Sequence, residues 1–134
     1  MADGKLVWRA LKKRSVDGVK GLVLSVAQDY ESGEVLMAAF MDRQAFLKTL
    51  DTGRVHYYST SRRRVWLKGE SSGNTQRLKA LKVDCDGDAL LVFVAQKGGA
   101  CHDGYRSCFY RKFSGGMLVK AGKRVFDPVE AYKR

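Results

Sequence analysis

Apolar and polar residues alternate with a period near two over much of this chain, the pattern of half-buried strands. Gly21–Ala27 is an apolar, β-branched run that stops at Gln28-Asp29, and the turn residues Glu31-Ser32-Gly33 lead into a second run, Glu34–Met41. The two predict a β-hairpin. The period then lengthens: Ala45, Phe46 and Leu50 share one helical face, Asp42 is placed to cap the first turn, and Gly53 to end the helix. Val55–Ser59 and Val65–Leu67 return to strand, and Lys68–Asn74 is a loop by composition. Leu78–Cys85 and Ala89–Gln96 are two strands joined through Asp86-Gly87-Asp88, a strong hairpin signal. A glycine-rich loop, Lys97–Gly104, leads to a further expected strand, Ser107–Phe113. In the tail, Val129–Tyr132 predicts a short helix after Pro128, the single proline. The sum is an α+β fold, mainly antiparallel β-sheet with one or two short helices.

The length of 134 residues suits one domain over 1–134, and 45% hydrophobic residues supply a core for it. No apolar run approaches the roughly 20 residues of a membrane span, and Met1–Lys5 lacks the apolar stretch of a signal peptide. The expected location is the cytoplasm. A net charge of +11, from 25 Lys and Arg against 14 Asp and Glu, changes the picture of the surface. It attracts nucleic acid, acidic membrane or phosphorylated small molecules, and is densest at Lys12-Lys13-Arg14 and Arg62-Arg63-Arg64. A solvated basic surface is the plainer alternative.

Against this basic background, Asp84-Cys85-Asp86-Gly87-Asp88 places three carboxylates and a thiol side by side, and Cys101, His102 and Cys108 follow. Clustered carboxylates suit a hard cation such as Mg²⁺, and thiolates a borderline one such as Zn²⁺. In extended chain Asp84 and Asp86 face one way and Cys85 the other, while the turn at Gly87 bends Asp88 back toward the first two. Three thiolates with an open fourth position resemble a catalytic zinc site rather than a structural one. Since Cys85 faces away from the aspartates, a second subunit can supply the third thiolate. His102 is a fourth ligand or, preferably, a general base. His56, among Tyr57 and Tyr58, reads as structural. Lys68 and the amides freed by Gly69 and Gly73 can bind phosphate. Buried structural thiols, a turn that merely favours aspartate and an ordinary loop are the bland alternatives.

Trp66–Asn74, Asp84–Leu91 and Ala100–Phe109, in this order and spacing, resemble the phosphoribosyl-AMP cyclohydrolase family of histidine biosynthesis; Glu34–Met41 and His56–Ser59 are similar to its upstream segments. The likeness runs from about Gly21 to Phe113 and leaves the tail, 114–134, outside. It implies a stand-alone cyclohydrolase, since the chain is too short for the fused pyrophosphohydrolase domain that some members carry. It also implies an obligate homodimer with zinc on Cys85 of one chain and Cys101 and Cys108 of the other, and Mg²⁺ on Asp84, Asp86 and Asp88. Trp66, Lys68, Ser72, Gly73, Asn74 and Arg62 are the expected contacts to a phosphorylated nucleotide. Thr60, Gly99 and Asp103 depart from the family's usual Arg, Pro and Thr.

The implied reaction is hydrolysis of the N1–C6 bond of the purine in N1-(5-phosphoribosyl)-AMP by zinc-bound hydroxide, with His102 managing protons, to give the phosphoribosyl-formimino-AICAR phosphate product. A zinc nucleobase deaminase is the nearest rival, but its His-x-Glu and Pro-Cys-x-x-Cys signature is absent. A zinc-stabilised nucleic-acid-binding module ranks third, because it gives no reason for three aspartates among the thiols. Neither nucleic acid nor membrane is therefore the expected partner.

Overall fold

The computed structural model describes residues 4–132. Its centre is a sheet of order β5-β4-β3-β2-β7-β6, built from β2 (Val19–Asp29), β3 (Val35–Met41), β4 (His56–Ser59), β5 (Arg64–Leu67), β6 (Gln76–Val83) and β7 (Ala89–Gln96). A short strand, β1 (Arg14–Val16), pairs with the start of β2. The expected hairpins form: β2 with β3 in the register Val26↔Ala38, and β6 with β7 in the register Leu81↔Val92. Among the described residues, one pairing is parallel, β2 with β7 (Val26↔Leu91). It joins the two hairpins into one sheet and sets β7 between β2 and the edge strand β6, where its burial pattern alternates strictly. The fold is α+β and mostly antiparallel, as the alternation predicts.

Helix α2 (Arg43–Thr52) begins where Asp42 accepts from the Ala45 amide and ends at Gly53, whose φ of 72° is the left-handed conformation that glycine adopts without strain. Its buried face, Ala45 and Phe46, closes one side of the sheet with Tyr57, Leu36 and Met41. Helix α1 (Gly4–Ala10) was not expected. It is held by Trp8, which is buried with its ring 5.3 Å from that of Phe46. Burial of one aromatic, rather than a long amphipathic pattern, fixes this helix. A short α3 (Pro128–Ala131) lies where the tail signal put it.

One expected strand is corrected. Ser107–Phe113 is irregular until Arg111, because Ser107 Oγ and the Cys108 amide bond the carbonyls of Val35 and Leu36 at the start of β3. Pairing then resumes in a separate hairpin, β8 (Arg111–Ser114) with β9 (Met117–Lys120). Every residue of this hairpin is exposed, including Phe113, Met117, Leu118 and Val119. Among the described residues no helix is long and apolar enough to cross a membrane.

Candidate active site

The thiol pair sits on the loop that follows β7. Within it the Ala100 amide donates to the Arg106 carbonyl (2.8 Å), and the Cys101 amide to the Tyr105 carbonyl (3.1 Å). The loop therefore doubles back and brings Cys101 close enough to Cys108 to perturb its thiol. Arg106 fixes it to the sheet: its guanidinium donates to the carbonyls of Gln96 (3.0 Å) and Gly98 (2.8 Å) and pairs with Asp29 (2.8 Å). Gly99 has no room for a side chain, since a Cβ there would lie 2.5 Å from the Tyr105 carbonyl oxygen. Cys108 is exposed as a residue, but desolvation of its sulfur, reinforced by the neighbouring Cys101, pushes the thiol up to about 11, with the Lys68 ammonium pulling the other way. Two neighbouring thiols are a donor set suited to a zinc ion, which would hold both as thiolates.

Lys68 is buried against this pair, its ammonium on the Ala100 carbonyl and over the Trp66 ring. Desolvation lowers its pKa, and the thiols of Cys108 and Cys101 oppose that shift. Its place is behind the site rather than on an open phosphate-binding surface.

Cys85 lies elsewhere. It stands in the turn before Ala89, whereas the Cys108 amide bonds Leu36 on β3, beside a residue in register with Gln28 and so with Phe93. From Ala89 to Phe93 is about 13 Å along β7, and from β7 to β3 is about 10 Å across two strand spacings. Within one chain the third thiolate cannot reach the other two.

Around Cys85, oxygens of Asp84, Asp86 and Asp88 come within 4.8 Å of one another, a donor set that fits a hard divalent cation. Asp84 also orders the turn, accepting from the amides of Asp88 (2.9 Å) and Ala89 (3.1 Å). Desolvation raises the Asp84 pKa but is outweighed by hydrogen bonds from the Asp88 side chain and these amides, so the net shift is downward. Asp88 moves upward, because its carboxyl bonds those of Asp84 and Asp86. Arg14 pairs with Asp88 at 3.3 Å.

Next to the thiol loop opens a cleft of about 610 Å³, lined by Trp66, Arg62, Arg64, Ser71, His102 and Thr60 among others. Three expected site residues, Trp66, Arg62 and His102, thus share one cavity. Ser72, Gly73 and Asn74 form the turn beside it, where Ser72 Oγ accepts from the Asn74 amide. His102 is exposed with Nε2 3.5 Å from Asp103 Oδ1, and the Tyr110 hydroxyl donates to Asp103 Oδ2 at 2.9 Å. Thr60 bonds Asp17 at 3.0 Å. Beneath the loop a buried chain runs from Tyr57 Oη through Gln76 to Gln96, whose amide donates to the carbonyls of Asn74 and Lys97. Burial raises the Tyr57 pKa far out of range, so this hydroxyl stays a donor. Sequence reading missed this network and Arg106; their partners are distant in the chain and nothing local marks them.

Residues 37–110 match the family model for phosphoribosyl-AMP cyclohydrolase. Curated relatives bearing that name include one from Methanothermobacter thermautotrophicus, 55% identical over 90% of this chain and 88% of its own. Another, from Methanothrix thermoacetophila, is 58% identical over 84% and 91%. A bacterial one, from Nitratidesulfovibrio vulgaris, is 54% identical over 84% and 90%.

Proposed function

The chain belongs to the phosphoribosyl-AMP cyclohydrolase family, and from that premise we propose that it opens the adenine ring of N1-(5-phosphoribosyl)-AMP at the N1–C6 bond, a hydrolytic step of L-histidine biosynthesis. The observation that carries this reading is the placement of the Cys101–Cys108 pair beside a cleft holding His102, Trp66 and Arg62.

In this reading water adds to C6, the N1–C6 bond breaks, N1 takes up a proton, and C6 becomes the carboxamide carbon of the phosphoribosyl-formimino-AICAR phosphate product. Trp66 offers a flat face to the purine, and Arg62 a guanidinium to a phosphate. His102, beside Asp103, is positioned to take a proton from the attacking water and return one to N1. Asp103 also holds Tyr110, so the carboxylate steers the imidazole from a braced position. Zinc held by the thiols would supply the acidified water that attacks at neutral pH. Asp84, Asp86 and Asp88 would hold Mg²⁺, whose role is to neutralise substrate phosphate.

The zinc site is proposed to span a homodimer, with Cys85 of the partner subunit joining Cys101 and Cys108. Two features support it: Cys85 is out of reach within one chain, and the exposed apolar β8–β9 hairpin continues from Phe109, itself exposed beside Cys108. The test mixes Cys85→Ser and Cys101→Ser proteins, each expected to be inactive and zinc-poor. Exchange of subunits rebuilds one intact site per mixed dimer, so ring-opening activity should recover to about a quarter of wild type. An active, zinc-free Cys101→Ser protein overturns the zinc reading. Mixtures that exchange subunits yet stay inactive overturn the shared site.

A further inference from the structure

Beyond the cleft that holds His102, a second concavity of about 410 Å³ lies across the 68–75 loop, lined by Arg54, Thr75, Arg77, Lys79 and Lys97, with Gln96 and Ala95 at its base. We infer that it is a phosphate-binding site.

Its cations come from three parts of the chain. Arg54 follows the glycine that ends α2, and its backbone bridges to Arg77 on β6. Lys79 is the extra residue of a β-bulge, between the paired Leu78 and Ala80; it lines the rim while its ammonium lies over the Tyr30 ring, 5.0 Å from the centroid. Lys97 follows β7 and is tied down by its amide on the Thr75 carbonyl (3.0 Å). Arg54 donates to Thr75 Oγ1 at 3.3 Å, which orients the guanidinium over the cavity.

No carboxylate lines the cavity, and among the described residues none of the four cations is in an ion pair. Arg54, Arg77 and Lys97 gather like charge around one cavity, with Lys79 at its rim, and a bound dianion relieves that repulsion. A charged edge strand that resists aggregation accounts for Arg77 and Lys79 on β6. It does not account for Arg54 and Lys97, which converge from other elements. Two arginines and a hydroxyl match the oxygens of a phosphate monoester better than a carboxylate of the same size.

A phosphate here has two possible origins. The proposed substrate carries two phosphates, and the loop that walls the first cleft at Ser71 also walls this one at Thr75. Alternatively, the site takes a free phosphate or phosphorylated metabolite. The first origin rests on the ring-opening reading; binding of phosphate itself does not.

The experiment is calorimetric titration of inorganic phosphate, at low salt, into the wild-type protein and an Arg77→Gln/Lys97→Gln variant whose exposed positions leave folding intact, checked by circular dichroism. Saturable binding that weakens about tenfold or more in the variant is expected. Absence of saturable binding, or equal affinity in both proteins, overturns the site. Kinetics then assign the origin. A raised KM with kcat kept, and competitive inhibition by phosphate, mean the substrate's own phosphate; an unchanged KM means a free anion. Because the titration needs no turnover, it remains decisive even where ring opening is not observed.

Discussion

Replacing Arg106 by Met tests whether one guanidinium organises the thiol loop. It removes two hydrogen bonds to carbonyls, at 3.0 and 2.8 Å, an ion pair at 2.8 Å to an Asp29 side chain that is only 8% exposed, and a longer one at 3.9 Å to Glu34. Bonds to charged groups contribute about 1.5–3 kcal/mol each, but Arg106 is itself 34% exposed, so water replaces part of what is lost. Asp29 also keeps the amides of Ser32 (2.8 Å) and Glu31 (3.2 Å), and is not orphaned. The net loss should be about 2–3 kcal/mol, or about 8–12 °C in Tm for a domain of this size. Urea unfolding of wild type, Arg106→Met, Asp29→Asn and the double variant should give a coupling of about 1–2 kcal/mol. The pH dependence has a definite sign. The Ser32 amide foremost, against the opposing effect of burial and with Arg106 assisting, holds the Asp29 carboxyl below its ordinary 3.8. Its stabilisation is therefore complete above that value and drains away as pH falls through the lowered one. The gap between wild type and Arg106→Met should narrow on that acid limb. A loss below about 0.5 kcal/mol, the range of ordinary surface changes, or a gap indifferent to acid, would refute the reasoning.

Two further outcomes are expected. On the proposed zinc site, Lys68→Met removes the buried ammonium that would offset the charge of the thiolates, and zinc affinity measured by chelator competition should fall about tenfold; wild-type affinity would show that the lysine serves only the Ala100 carbonyl. Phe46→Ala opens a cavity under Trp8 at a position 1% exposed and should cost about 3–5 kcal/mol, read by thermal unfolding, with loss of the Trp8 fluorescence signature of a buried ring.

The elements written in local chemistry were legible in the sequence. Alternation gives β2, β3 and β7; Asp42 and Gly53 bound α2; and Asp86-Gly87-Asp88 turns β6 into β7, because periodicity, caps and turns act over a few residues. The donor types of the site could be read too, since thiols and carboxylates announce their chemistry wherever they lie. What the tertiary structure alone decided is who meets whom. The parallel β2–β7 pairing, the Arg106–Asp29 pair and the Trp8–Phe46 contact close long loops, and no local pattern encodes a contact whose favourable energy comes from a distant partner. The same geometry buries Lys68 behind the thiols, gathers four cations around a second cavity, and sets the length of β7 between Cys85 and the pair it was expected to join. Strand length and sheet order fix that separation, and residue identity carries no record of either.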